Sequence, residues 1–287
     1  MSGSVESVPN VIVISDTHAG CGVALCPPKV RLDSGGYHYH GKVQQRIYDY
    51  WTYFTNTWLP RNTRGEPFAL VHNGDALEGN HHGSKTQITH NLATQENIAY
   101  EILAPLVEKC QGRYYHVRGT EAHVGQCAEH EEQLAQRLGA VVDPLGNSSR
   151  YDLRLRVGPA LCHFTHHISF ARSAPARAAA IGRELENLMN VAGTWGGEAP
   201  TGIIRSHVHR NVSTSFPTGR GQVFGFTTAA WQAKGPYSWR IGATGEVQIG
   251  ASLIRCEDNE VFSRHMVEGI VNESPVEVPT TGGSVRE

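Results

Sequence analysis

No two cysteines in this chain are spaced as CxxC. The six, Cys21, Cys26, Cys110, Cys127, Cys162 and Cys256, show no paired zinc-finger spacing, and a chain of 287 residues is too large to need disulfide staples. The expectation is reduced thiols in a cytoplasmic protein. No apolar stretch approaches the length of a membrane span, so no membrane association is expected. Residues 1–9 lack a basic segment followed by an apolar run, which argues against a signal peptide and for a flexible N-terminus. Charge of one sign is also missing: 25 Lys+Arg against 27 Asp+Glu leave a net −2. That balance excludes global attraction to nucleic acid or anionic lipid and leaves only local basic patches. With no internal repeat and no linker-like stretch, residues 10–272 read as one domain. Residues 273–287, poor in apolar side chains, read as a mobile tail.

Histidine is what the chain has in excess. There are sixteen, many of them beside Asp, Asn or Gly rather than in apolar runs. Histidine is the commonest metal ligand and the usual acid–base residue near neutral pH. Surface and helix-end positions account for part of the excess.

Residues 10–15 (NVIVIS) and 68–72 (FALVH) are short apolar runs with the pattern of buried strands, and 113–117 reads as a third. Between the first two lie a long loop, 16–39, and an aromatic-rich helix, 41–58, stopped by Pro60. Further helices are expected over 88–110, 127–138 and 175–190. A hairpin turns at Gly158-Pro159, a short strand covers 202–205, and strands with Gly-rich turns fill 212–266. Strand–helix alternation followed by mostly strands suggests a sheet sandwich with helices packed outside.

Each of several strands ends in metal-ligand residue types. The first supplies Asp16 and His18 (DTH), the second Asp75 (NGDALEG), and the third Thr120, Glu121 and His123 (RGTEAH). The strand near Leu161 supplies His166 and His167, and the last supplies His207 and His209 (SHVH). Strand ends on one edge of a sheet converge, so ligands distant in sequence can meet. Mixed carboxylate and imidazole ligands suit manganese, iron or zinc. A carboxylate shared by two such ions holds them about 3.5–4 Å apart, which lets a bridging water lose its proton near neutral pH while both ions neutralise a phosphoryl group.

In this order the motifs resemble the calcineurin-like metallophosphoesterase superfamily, whose pattern is DxH, GDxxD, GNH, a lone His after a strand, and GHxH. The similarity spans Asp16 to His209, and is greatest to the compact phosphoesterases of bacteriophage and bacterial genomes. It implies an α/β four-layer αββα sandwich, two mixed sheets flanked by helices, and two divalent ions, manganese first, with iron, zinc or nickel as alternatives. By resemblance Asp16, His18 and His209 bind the first ion, Asp75 bridges, and His166 and His207 bind the second. His166 is preferred to His167 because the family's ligand directly follows its strand.

The chain departs from the family where Gly-Asn-His becomes Gly119-Thr120-Glu121-Ala122-His123. The family's Asn ligates the second ion and its His protonates the leaving group. Here Thr120 takes the ligand position, His123 is the candidate general acid, and Glu121 is either a second-ion ligand or an orienting partner for His123. Glu78 stands where the family often has Asp, and Ser206 replaces a Gly. Arg118, Asn80 and His81 are candidate phosphate contacts; a structural ion pair for Arg118 and a plain polar loop for the others are the competing readings.

Residues 37–58 hold five tyrosines, two tryptophans and a phenylalanine. Such a segment could stack bases, but its helical spacing and scarcity of Lys and Arg favour a core role. Cys21 and Cys26 alone are too weak a signal for a third metal. The expected activity is a dinuclear phosphoester hydrolase, favoured as a phosphodiesterase or nuclease on nucleotides or DNA in the (host) cytoplasm. A phosphomonoesterase or protein phosphatase, and a scaffold that has lost catalysis, are the alternatives.

Overall fold

The computed structural model describes residues 8–81, 83–125, 128–169, 173–219, 221–236, 239, 247–269 and 278. The segments expected to be mobile, 1–9 and 273–287, lie outside these residues except at 8, 9 and 278.

Strand β1 (Asn10–Ile14) is buried throughout. Its side chains alternate: Val11 and Val13 enter one core cluster, Ile12 and Ile14 another, as the period of a strand dictates. β4 (Phe68–Asn73) and β5 (Tyr114–Val117) follow in parallel, with β6 (Ser149–Arg150) at one edge. β12 (Gln248–Glu257) and β13 (Glu260–Gly269) extend the other side antiparallel, so the order is β13-β12-β1-β4-β5-β6. The second sheet runs β10-β11-β9-β8-β7: β10 (Val212–Thr218), β11 (Gly221–Thr227), β9 (Gly202–Arg205), β8 (Ala160–Phe164) and β7 (Leu153–Val157). Its three central strands are parallel and its outer two antiparallel.

The sheets pack face to face through Val13, Val71 and Val117 on one side and Phe164, Ile204 and Phe226 on the other. Helices α1 (Lys42–Tyr53), α3 (Leu92–Lys109) and α5 (Glu129–Arg137) cover the outer face of the first sheet, burying Trp51, Leu103 and Leu134 against Ile12, Ile14 and Leu70. Helix α6 (Ala174–Trp195) covers the second sheet through Ile181 and Leu185. The layers are therefore α, β, β, α, the expected sandwich.

Pro60 does not stop the aromatic helix. The chain passes from α1 through one π-helical stretch, Phe54–Trp58, into α2 (Leu59–Thr63). Pro60 occupies the first turn of α2, where a missing N–H is tolerated. Helix α3 starts later than 88 because Asn91 caps it, its side chain accepting the Thr94 N–H at 3.1 Å. The aromatic segment splits in two. Trp51, Phe54 and Trp58 are core, packed with Trp231, whereas Tyr37, Tyr39 and Tyr53 are exposed. Within the 16–39 loop the chain forms a small antiparallel hairpin, β2 (Lys29–Arg31) with β3 (Tyr37–Tyr39). Among the described residues no helix is long and apolar enough to cross a membrane.

Candidate metal centre

Parallel strands deliver the ligands. β1, β4 and β5 in one sheet and β8 and β9 in the other each run into a loop that carries candidate ligands from its C-terminal end. The loops are stitched backbone to backbone: the Asp16 N–H donates to Gly74 O at 2.9 Å, His18 N–H to Asp75 O at 3.1 Å, and Ser206 N–H to His166 O at 2.9 Å. Beneath them a chain of hydroxyls clasps the two sheets together. Ser15 Oγ lies 2.6 Å from Thr228 Oγ1, which donates to Ser206 Oγ at 2.8 Å; Asn73 Nδ2 donates to the same oxygen at 2.7 Å.

The side chains then meet. Ligand atoms of Asp16, His18 and His209 lie within 4.8 Å of one another, as do those of Asp75, His166 and His207. Asp75 also groups with His18 and His123, so it stands between the two sets. These groups contain the residues that the resemblance assigns to two ligand sets, and Asp75 has neighbours in both directions. His167 is exposed, its ring 5.2 Å from that of His207, and joins no such group.

Five of these residues are held in left-handed backbone: Asp16 (φ 51°), His18 (43°), Asp75 (55°), His207 (71°) and His209 (51°). A non-glycine residue there costs of order 1–3 kcal/mol, and such strain persists only where the surrounding structure over-determines it, which is common at functional sites. Half of the ten positive-φ non-glycine residues described are therefore these five. Glycine makes the close approach possible: a Cβ on Gly119 would stand 2.0 Å from Asp75 Oδ1, and one on Gly74 would stand 2.4 Å from His166 Nδ1.

The tautomers are fixed by their partners. His166 Nδ1 lies 2.7 Å from the carbonyl of Asn73, and a carbonyl only accepts, so Nδ1 carries hydrogen. His123 Nδ1 donates likewise to Glu78 O at 2.6 Å. His18 Nδ1 faces Glu78 Oε2 at 3.2 Å. His166 and His123 thereby keep Nε2 for the centre, the arrangement in which carbonyl-bound histidines ligate metals, whereas the contact of His18 Nδ1 with Glu78 is not an aligned hydrogen bond. His18 Nε2 and His209 Nε2 lie 3.2 Å apart, and His209 Nε2 is 3.2 Å from Asp16 Oδ1. Among the described residues, Asp16 Oδ1 and His166 Nε2 are buried with no aligned hydrogen-bond partner, although Asp75 Oδ2 is 3.0 Å from the latter. Convergent ring nitrogens, an unpartnered buried oxygen on Asp16 and a carboxylate between two histidine sets fit a pair of divalent cations.

The electrostatics are those of a buried cluster of interacting carboxyl and imidazole groups. Burial alone would raise Asp16 and Asp75, yet His209 beside Asp16 and His166 beside Asp75 hold both carboxyls below the usual range. Burial opposes the charged form of His166 too, but Asp75 and Asp16 lift it to about 10. Glu78, despite burial, is drawn down to about 2 by His18 and His81. Burial pushes His123 and His207 down to about 4.

Other expected residues are placed differently. Thr120 is buried, but its N–H donates to Asp75 Oδ1 at 2.6 Å and its hydroxyl reaches both Asp75 oxygens at 3.1 and 3.2 Å. It orients the Asp75 carboxylate. Glu121 is exposed at the start of the short helix α4 (Glu121–Val124) and belongs to none of the ligand groups, because the helix turn carries it away from the centre. His123, two residues on and so on the opposite side of that helix, is brought in: its ring centroid is 4.4 Å from that of His18. Arg118 is engaged by Glu132 (3.3 Å) and Ser149 (2.8 Å) and lies over Tyr151, the structural ion pair. Asn80 is exposed, its amide bound to His90 O at 2.8 Å. His81 sits at the rim with Nε2 3.3 Å from Glu78 Oε1, and Glu78, His81 and His123 form a further group of possible ligands. His82 is outside the described residues. Cys21 and Cys26 are buried thiols, each pushed up to about 12 chiefly by burial, and neither joins a ligand group.

Glu131 is the residue that sequence reasoning missed. Fully buried, it accepts the Ala76 N–H at 2.9 Å with one oxygen and the Gly119 N–H at 2.7 Å with the other. It thus straps the loop of Asp75 to the loop of Thr120. Its signal was legible: it shares a helix face with Leu134, Ala135 and Leu138, an acid in line with apolar residues.

No protein-family model matches the chain, and no curated protein matches it. Among solved structures one similar chain is "Structure of Vacuolar Protein Sorting 29 from Cryptosporidium Parvum", at 8% identity and a TM-score of 0.40, covering 92% of this chain and 99% of that one. At that score the likeness carries no functional argument. The two-sheet sandwich and its His/Asp ligand groups stand on the geometry alone.

Proposed function

We propose that the protein is a dinuclear metal-dependent phosphoester hydrolase. The observation that carries this reading is the convergence of Asp16, His18 and His209 with Asp75, His166 and His207 at one edge of the sandwich, five of the six in strained backbone. Bound there, two divalent ions would supply charge neutralisation for a phosphoryl group and a water of lowered pKa. The chain itself supplies the rest. Thr120 fixes the rotamer of Asp75 with two donors, Glu78 orients His18, and the Asn73 carbonyl orients His166. His123 is the group nearest to hand for leaving-group protonation. Its Nε2 accepts at neutral pH in the free chain, since burial holds it near 4, so donation requires anionic charge from the substrate to raise it.

Within this class we favour diesters of nucleotides or DNA over phosphomonoesters or phosphoproteins, a preference drawn from the resemblance to compact phage and bacterial enzymes. One observation favours a second reading, a scaffold without turnover: Thr120 is spent on Asp75, leaving the family's Asn ligand unreplaced. Metal analysis and hydrolysis of bis-p-nitrophenyl phosphate with manganese separate the two. The hydrolase reading expects about two ions per chain and turnover that Asp75→Asn abolishes. Absence of both metal and turnover from acid to alkaline pH would leave the scaffold.

A further inference from the structure

Two of the exposed tyrosines that the core did not absorb, Tyr37 and Tyr39, lie on the β2–β3 hairpin, and their neighbours there are basic. In β2 the exposure alternates, with Lys29 and Arg31 outward and Val30 buried; in β3 Tyr37 and Tyr39 are outward, 52% and 63% exposed. The register pairs Lys29 with Tyr39 and Arg31 with Tyr37, so all four side chains stand on one face of the ribbon. Lys29 Nζ sits 4.0 Å from the Tyr37 ring centroid and 5.8 Å from that of Tyr39, holding cation and rings as a unit. The local charge reverses that of the whole: residues 29–50 hold four Lys or Arg against two Asp, in a chain of net −2.

This face is coupled to the ligand loop. His38, on the opposite side of β3, lies 3.0 Å from Gln44 Oε1; Gln44 Nε2 donates to Cys21 O at 3.1 Å, and the Cys21 N–H donates to His18 O at 3.0 Å. Three hydrogen bonds thus connect the hairpin to the first candidate metal ligands.

We propose that the Lys29–Arg31–Tyr37–Tyr39 face binds single-stranded nucleic acid, its bases on the tyrosines and its phosphates on the two cations, and presents a phosphodiester to the metal centre. The inference deepens the hydrolase reading and rests on it for the last step only. Paired aromatics with interleaved cations are what a single strand requires, because every base has a stackable face and every linkage a charge. A duplex hides its base faces, and an acidic peptide offers its carboxylates to the two cations without a ring at every unit; neither needs both tyrosines.

The test measures fluorescence anisotropy of labelled dT20 on the full chain in EDTA, so that no hydrolysis intervenes. Tyr37→Ala/Tyr39→Ala is expected to weaken binding about tenfold or more. An abasic strand of equal length should bind the unaltered chain as weakly as dT20 binds that variant. Lys29→Ala/Arg31→Ala is expected to reduce the log–log salt slope by about 1.4, at about 0.7 per phosphate contact. With manganese, both variants should keep their bis-p-nitrophenyl phosphate turnover, which also reports that they fold, and lose hydrolysis of dT20. Unchanged dT20 affinity in both variants overturns the proposal, as does equal binding of duplex with no dependence on the tyrosines. If dT20 binds through the hairpin but no diester is cleaved, the surface stands and the hydrolase reading falls.

Discussion

At the scale of single residues, the centre is defined by where protons sit. In the metal-free chain His166 carries a proton at neutral pH, because Asp75 and Asp16 outweigh burial and raise it to about 10. A cation must displace that proton, so metal affinity should rise with pH, and loading at pH 7 should release about one proton per chain from this group. Calorimetry in buffers of differing ionisation enthalpy measures the release, and His166→Gln should remove it. The same shift acts on the metal-free fold with a definite sign. A raised histidine contributes stability in full below the unfolded value, near 6.5, and loses it as pH climbs through about 10. His123 gives a second residue-scale test. If it protonates the leaving group, His123→Ala should cost about 10²–10⁴ in turnover on an alkyl or nucleoside leaving group and far less on p-nitrophenolate. Equal losses on both, with lower metal content, would instead make it a ligand.

Elements act by holding loops at fixed separation. Helix α5 has a packing face of Leu134, Ala135 and Leu138, and on that face Glu131 grips two N–H donors of two ligand loops. Glu131→Gln keeps the volume but offers one acceptor oxygen, leaving a buried donor unsatisfied at a cost of about 1–3 kcal/mol. The expected result is a folded protein with metal affinity lowered about 10–100-fold, as for other partners that orient ligands. An Asp75 site indifferent to this change, by metal titration, would reduce Glu131 to a structural strap. The π-helical stretch between α1 and α2 shows the same dependence on context: Pro60 reads as a stop in isolation, yet it falls in a first turn and the helix resumes.

Across the whole molecule the centre hangs on the seam where the two sheets and the outer helices meet. Trp231 is fully buried against Trp51 and Phe54 (ring centroids 4.8 and 5.6 Å), and its backbone N–H donates to Asp16 O at 3.0 Å. Trp231→Ala should cost about 3–5 kcal/mol in denaturant unfolding, as large core deletions do. Because the backbone donor survives, metal affinity should fall less than in Glu131→Gln; the opposite order would shift the positioning role to the indole. The residue types at the centre were legible in the sequence because each motif lies at the end of a strand whose apolar pattern is local. The sandwich was legible for the same reason, since the unbroken apolar run of β1 reports burial on both faces. Three things were not. Thr120 turned from ligand to orienting donor, Glu121 was carried outward by a four-residue helix, and the aromatic segment divided between core and hairpin. Each depends on which way one side chain points after distant strands have paired. Which side chains could ligate a cation is local chemistry, written in the motifs at the strand ends; which of them face one another follows from long-range pairing, because left-handed turns and a buried carboxylate between two loops set those directions.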